Sequence, residues 1–174
     1  MNIFLVGYMG SGKSFLGKIL ARYMQITNID LDAFLQKRES MEINKIFTEK
    51  GESYFRVKEN KYLLELIKNK NSHIISCGGG TPFFFNNMEI MNKNGITIYL
   101  KRDSEFLYNY LLKSISKRPV FDSLNSKEKF FKHFEEREFF YLKSELIINC
   151  DNFSSSEEII QNIKSQLYDY RFKK

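Results

Sequence analysis

No stretch of about 18 uninterrupted apolar residues occurs in the 174-residue chain, and its first residues lack the basic-then-apolar layout of a secretion signal. A membrane protein is therefore not expected, and the chain reads as soluble and cytoplasmic. Cysteine is scarce: Cys77 and Cys150 lie far apart, each in an apolar strand-like run, which suits reduced core residues and excludes a disulfide framework. Histidine is as scarce. His73 and His133 are the only two, neither at metal-ligand spacing from a second ligand nor beside a nucleophile, and both are expected to be structural or exposed. The net charge is +6, but the basic residues are scattered among acids, with a small basic RFKK tail, so no stripe for a nucleic acid is present. A mildly basic cleft for an anionic small molecule fits the same charge.

Apolar runs of strand length alternate with segments of helical period, the pattern of a parallel sheet flanked by helices. Strands are predicted at 3–6, 27–31, 73–77, 97–100 and 146–149, and helices at 13–24, 52–69, 84–93, 104–115, 126–143 and 157–170. Gly51, after FTEK, reads as a helix stop, with GES starting another helix. Residues 33–70 thus form a helical insertion after the second strand. SKRPVFDSLNSKEK is the remaining irregular stretch, expected to be a mobile loop. At this length one domain is expected, 1–174, with a core that needs no disulfide or metal. The Phe runs at 83–85 and 130–131 read as core or loop anchors.

GYMGSGKS, residues 7–14, matches G-x-x-x-x-G-K-[ST] directly after the first predicted strand and at the start of a helix. Gly10, Ser11 and Gly12 let backbone N–H groups converge on phosphate oxygens, and Phe15 continues this ATP-binding run into the helix. Lys13 is expected on the outer phosphates and Ser14 on a Mg²⁺ ion that neutralises charge during transfer. Such a cradle fixes the nucleotide and leaves the acceptor open.

Many proteins with this loop end a neighbouring strand in a metal-holding acid, yet HIISC runs into Gly78, Gly79 and Gly80. The second strand instead ends IDLD, where open α/β sheets place ligands. Strand alternation would point Asp30 and Asp32 the same way, Asp30 toward the Mg²⁺ water shell and Asp32 toward substrate hydroxyls. A helix N-cap followed by a first-turn acid is the competing reading of the pair. The three glycines offer bare N–H groups and room for a ligand. Seven of the 27 basic side chains are arginines. Arg56, Arg118 and Arg137 stand out by position, because a guanidinium grips carboxylate or phosphate through a rigid fork that lysine lacks. Glu59, three residues beyond Arg56, can orient it on one helix face.

In order and spacing, GYMGSGKS, the DLD pair, Phe55-Arg56 with Glu59, SCGGG at 76–80, Arg118-Pro119 and Arg137 resemble the shikimate kinase family over nearly the whole chain. The resemblance implies a three-layer α/β P-loop kinase fold with a five-stranded parallel sheet in the order 2-3-1-4-5. It further implies a substrate-binding insertion at about 33–62 and a lid at about 113–125 closing over ATP. Shikimate would meet Asp32, Arg56, Gly78, Gly79, Gly80 and Arg137, with the arginines on its carboxylate. Lys13, Asp30, Asp32 and Arg118 would serve catalysis, Arg118 from the lid, and Ser14 and, through water, Asp30 would hold Mg²⁺. The implied activity is transfer of the ATP γ-phosphoryl group to the shikimate 3-hydroxyl, on the route to chorismate, by a monomer without nucleic-acid or membrane partners. The chain departs from the family in reading RPVF at the lid and in lacking an arginine in FLYNYLLKSIS, which relatives place against adenine. A gluconate-type or nucleoside-monophosphate-type kinase is the nearer alternative. A nucleotide-dependent switch or nucleic-acid ATPase is the more distant one.

Overall fold

Strand alternation builds the centre of the molecule. In β1 (Asn2–Val6) Ile3 and Leu5 face one side and Phe4 and Val6 the other, and each side is covered by helices. The computed structural model describes residues 1–69, 71–114 and 119–172. Within them five parallel strands, β1, β2 (Thr27–Asp30), β3 (His73–Ser76), β4 (Gly95–Lys101) and β5 (Leu146–Asn149), lie in the order β2-β3-β1-β4-β5. The expected sheet order is the observed one.

On the Ile3–Leu5 side, α1 (Lys13–Met24) and α8 (Ser156–Phe172) bury Leu16, Leu20, Ile160 and Ile163 against Ile74, Ile98 and Ile148. On the other side, Phe4, Val6, Ile75 and Tyr99 meet α3 (Ile43–Lys68), α4 (Asn87–Asn94), α5 (Ser104–Lys113) and α7 (Lys127–Tyr141). Cys77 and Cys150 are free and buried, one in each core. Among the described residues no helix is long and apolar enough to cross a membrane.

Several elements differ from expectation. The second strand ends at Asp30, and α2 (Leu31–Glu39) starts at once. The insertion continues into α3, which Gly51 (φ 79°, ψ 166°) breaks into two helical pieces, as FTEKGES suggested. The helix predicted at 84–93 forms as α4 but starts later, at Asn87, after a short 3-10 turn, Thr81–Phe83, because Phe85 and Asn86 both take positive φ and separate the two. Within the expected irregular loop, Pro119–Leu124 forms the short helix α6, with proline at a first-turn position where its missing N–H costs nothing.

Candidate active site

Between β1 and α1 the backbone turns through Gly10 (φ 86°) and Gly12 (φ 92°), a left-handed conformation that side chains rarely adopt. Gly12 caps α1 without a side-chain hydrogen bond, and no acid occupies the first turn, so the helix N–H groups stay available to an anion. Lys13 Nζ donates to the carbonyls of Gly7 and Tyr8, 2.8 Å each, which holds the ammonium against the inside of the loop. Ser14 Oγ donates to the Asp30 carboxylate across the loop mouth. A cavity of about 230 Å³ opens here, lined by Gly10, Gly12, Lys13, Ser14, Asp30 and Asp32 among others. Phe15, 60% exposed, stands at its rim, while Ser11 is buried.

A second cavity of about 280 Å³ adjoins the first, the two sharing Met9, Asp32, Gly78 and Gly79. The α2–α3 insertion supplies Phe47, Phe55, Arg56 and Glu59 to it, and α7 supplies His133 and Arg137. Arg56 donates to Glu52 (3.0 and 3.1 Å) and to Glu59 (2.9 Å), and its guanidinium lies 4.6 Å from the Phe84 ring centre. Arg137 lies 4.8 Å from the Phe83 ring centre. Two guanidiniums thus line one cavity of mixed polar and aromatic walls. Burial lowers the pKa of Arg137, with nearby Arg56 adding to the effect, so an anion bound between them would relieve both. Burial also opposes the charge of Arg56, but Glu59 and Glu52 outweigh it and raise its pKa.

The glycine turn is shaped by its neighbours. A Cβ on Gly80 would fall 2.5 Å from Arg56 Nη2, and one on Gly78 would fall 2.7 Å from Glu59 Oε1 and 3.0 Å from Asp32 Oδ1. Only hydrogen at these positions lets the arginine and both acids reach the cavity. Glu59 is fully buried and also accepts from Thr81 Oγ1 at 2.6 Å. Asp32 touches both cavities, and the surrounding protein strips water from its carboxyl. This desolvation, then repulsion from Glu59 and Asp30, pushes its pKa up to about 7 against the pull of Lys13 and Arg56.

A phosphate loop beside an arginine-walled cavity, joined through one aspartate, suits phosphoryl transfer to a small anion. The family model for shikimate kinase matches residues 9–168. The chain belongs to the shikimate kinase family. A shikimate kinase of Azobacteroides pseudotrichonymphae is 39% identical over 95% of this chain and 99% of its own. The crystal structure of shikimate kinase from Bacteroides thetaiotaomicron, 35% identical, superposes with a TM-score of 0.84 over 97% of this chain and 98% of that one. That of shikimate kinase from Acinetobacter baumannii in complex with shikimate, 26% identical, gives 0.85 over 97% and 93%.

The structure brings Lys13, Ser14, Asp30, Asp32, Arg56, the three glycines and Arg137 to the paired cavities of this shikimate kinase fold. Arg118 and most of the segment before it in the expected lid lie outside the described residues; Pro119 and Val120, which follow, line the larger cavity. Asp30 and Asp32 do not converge by strand alternation. Asp30 is the N-cap of α2, accepting from Ala33 N at 3.0 Å, and Asp32 lies in the first helical turn, so the capping geometry and the shared site coexist. His133, expected to be structural or exposed, lines the larger cavity with Nδ1 2.6 Å from the Tyr8 hydroxyl. Phe83 and Phe84 face the two arginines rather than only filling a core. Nothing in the spacing of Tyr8, Phe47 or His133 marks them in the sequence, because helices and loops far apart along the chain bring them together.

Proposed function

We propose that the chain transfers the γ-phosphoryl group of ATP to the 3-hydroxyl of shikimate. One observation carries this reading: the phosphate-loop cavity and the cavity holding Arg56 and Arg137 share Asp32 as a common wall. The arginines suit the shikimate carboxylate, Asp32 its hydroxyls, and the glycine turn its ring edge. Lys13 leaves the loop carbonyls for the outer phosphates, and Arg118 is assigned to the same phosphates on the strength of the family resemblance. Asp32, with a pKa near 7, is better matched to accept the hydroxyl proton than Asp30, whose carboxylate already serves Ala33 N and Ser14. Catalysis then rests on in-line positioning and charge stabilisation, without a covalent enzyme intermediate.

Among the described residues no group of three or more acids, histidines or cysteines could hold a metal by itself. Ser14 and Asp30 are paired hard oxygen donors at the phosphate cavity, and this set fits Mg²⁺, which keeps waters and shares phosphate oxygens. When bound, the ion would neutralise charge on the transferring phosphates.

The test is ADP release with ATP and Mg²⁺ against shikimate, quinate, gluconate and AMP. Turnover that depends on shikimate is expected. Turnover without shikimate, or a preference for gluconate or AMP, would overturn the reading.

A further inference from the structure

His133 lines the acceptor cavity yet takes no part in the chemistry above. Its Nδ1 meets the hydroxyl of Tyr8, a residue of the phosphate loop whose own carbonyl accepts from Lys13. The carbonyl of His133 accepts from Arg137 Nη1 at 3.4 Å, and Tyr141 donates its hydroxyl to the Gly79 carbonyl at 2.5 Å. Residues 133, 137 and 141 are spaced by four on α7, so they share one helix face. Its two ends are tied to the phosphate loop and the glycine turn, and Arg137 stands midway. Among the described residues Arg137 lacks the close carboxylates that fix Arg56: it stacks on the Phe83 ring and pairs with Glu136 at 3.8 Å. Its place in the cavity therefore depends on where the α7 backbone is held.

We propose that His133 is a positioning residue: by accepting the Tyr8 hydroxyl proton at Nδ1 it locks α7 to the phosphate loop and so sets Arg137 against the acceptor carboxylate. Burial keeps the Tyr8 phenol protonated; with its O–H donating to Nδ1, the imidazole is the neutral Nε2–H tautomer. Burial, with Arg137 and Arg56 nearby, keeps the ring neutral by holding its pKa down to about 4. Nε2 is buried without a hydrogen-bond partner among the described residues. A leucine would fill the space without that cost, so what the histidine contributes is its Nδ1. The role of Arg137 here rests on the acceptor reading above.

Tyr8→Phe, His133→Leu, His133→Asn, His133→Gln and the Tyr8→Phe/His133→Leu pair are compared by steady-state kinetics, with imidazole ¹⁵N shifts as a readout independent of activity. Tyr8→Phe and His133→Leu should each raise the shikimate KM about fivefold, the size of one ordinary hydrogen bond, with the ATP KM changed less than about twofold. The pair should be no worse than either single change. Asn, whose Oδ1 can stand in for Nδ1, should restore the wild-type KM, and Gln, which reaches instead toward Nε2, should not. The ¹⁵N shifts should report an Nε2–H tautomer with a hydrogen-bonded Nδ1 in wild type, and that Nδ1 hydrogen bond should be lost in Tyr8→Phe. An unchanged shikimate KM in Tyr8→Phe, additive effects in the pair, or rescue by Gln instead of Asn would overturn the proposal. Wild-type protein that does not turn over shikimate would instead overturn the acceptor reading, a distinct result. Tyr8→Phe keeps the aromatic packing, so the test stands even if His133→Leu fails to fold.

Discussion

Arg56 and Asp32 carry opposite electrostatic problems. Arg56 is a buried cation with close anionic partners in Glu52 and Glu59, and these hold its planar fork under Phe84 and over Gly80. Lysine would keep the charge and lose the fork, so Arg56→Lys should raise the shikimate KM about tenfold while the ATP KM moves little. Equal increases in both constants would detach Arg56 from the acceptor. Asp32 is an acid crowded by two others, and its pKa near 7 makes its charge depend on pH in the working range. For shikimate, kcat/KM should climb with pH through about 7, and Asp32→Asn should flatten that climb. A wild-type profile level from pH 5.5 to 8.5 would contradict it. The stability effect has the opposite sign. The folded protein retains on Asp32 a proton that the unfolded chain loses near its ordinary value of 3.8, so stability is full below that value and falls as pH rises through about 7. Asp32→Asn should therefore melt above wild type at pH 8 and level with it at pH 4.

At the scale of elements, the glycine turn between β3 and α4 is a mould for α3. Gly80 has ordinary right-handed helical dihedrals (φ −89°, ψ −16°), so alanine would strain nothing in its backbone; the closest conflict is the Cβ against Arg56 at 2.5 Å. Since Glu52, Glu59 and Phe84 fix that guanidinium, Gly80→Ala should reproduce the Arg56→Lys effect on kinetics, a shikimate KM raised about tenfold with near-normal ATP KM, together with a lowered melting temperature as the ion pairs of the buried Arg56 are displaced. A variant with wild-type KM would show that Arg56 has slack. The same elements show what can be read from a sequence. The strands, α1 and the break at Gly51 follow from local periodicity and from glycine, and local signals suffice for them. The phosphate loop and the arginines were legible for the same reason, as short motifs or rare residue types. The start of α2 is hidden in the sequence because a capping aspartate directly after a strand leaves no gap in the apolar pattern. The short helix at Pro119–Leu124 leaves no signature in the sequence because six residues carry too little periodicity to register. His133 and Tyr8 were illegible in principle: 125 residues separate them, and only the packing of α7 against the phosphate loop makes them neighbours.

At the scale of the whole molecule, the sheet separates function from a different liability. The loops after β1, β2 and β3 gather at the carboxyl ends of neighbouring strands, so the order β2-β3-β1 lays the donor and acceptor cavities side by side. His73 opens β3 at the opposite, amino end, 5% exposed, its backbone N–H bonded to Asn2 Oδ1 at 3.1 Å and both ring nitrogens without a hydrogen-bond partner among the described residues. Burial, then the nearby N-terminal ammonium, disfavours its protonated form and lowers its pKa. The unfolded chain therefore takes up this proton first on acidification: the stability is present above the ordinary value of 6.5 and is lost as pH falls below it. His133 acts in the same direction, while Asp32 acts against both between about 7 and 3.8, so the melting curve of the wild type alone mixes the three. His73→Leu isolates the first, filling the site with an apolar side chain that never charges. Its melting temperature should exceed that of wild type by more at pH 5 than at pH 8, measured by calorimetry at both. An equal gain at the two pH values would mean that folded His73 takes up its proton as readily as the unfolded chain does, and the acid sensitivity would have to come from elsewhere in the fold.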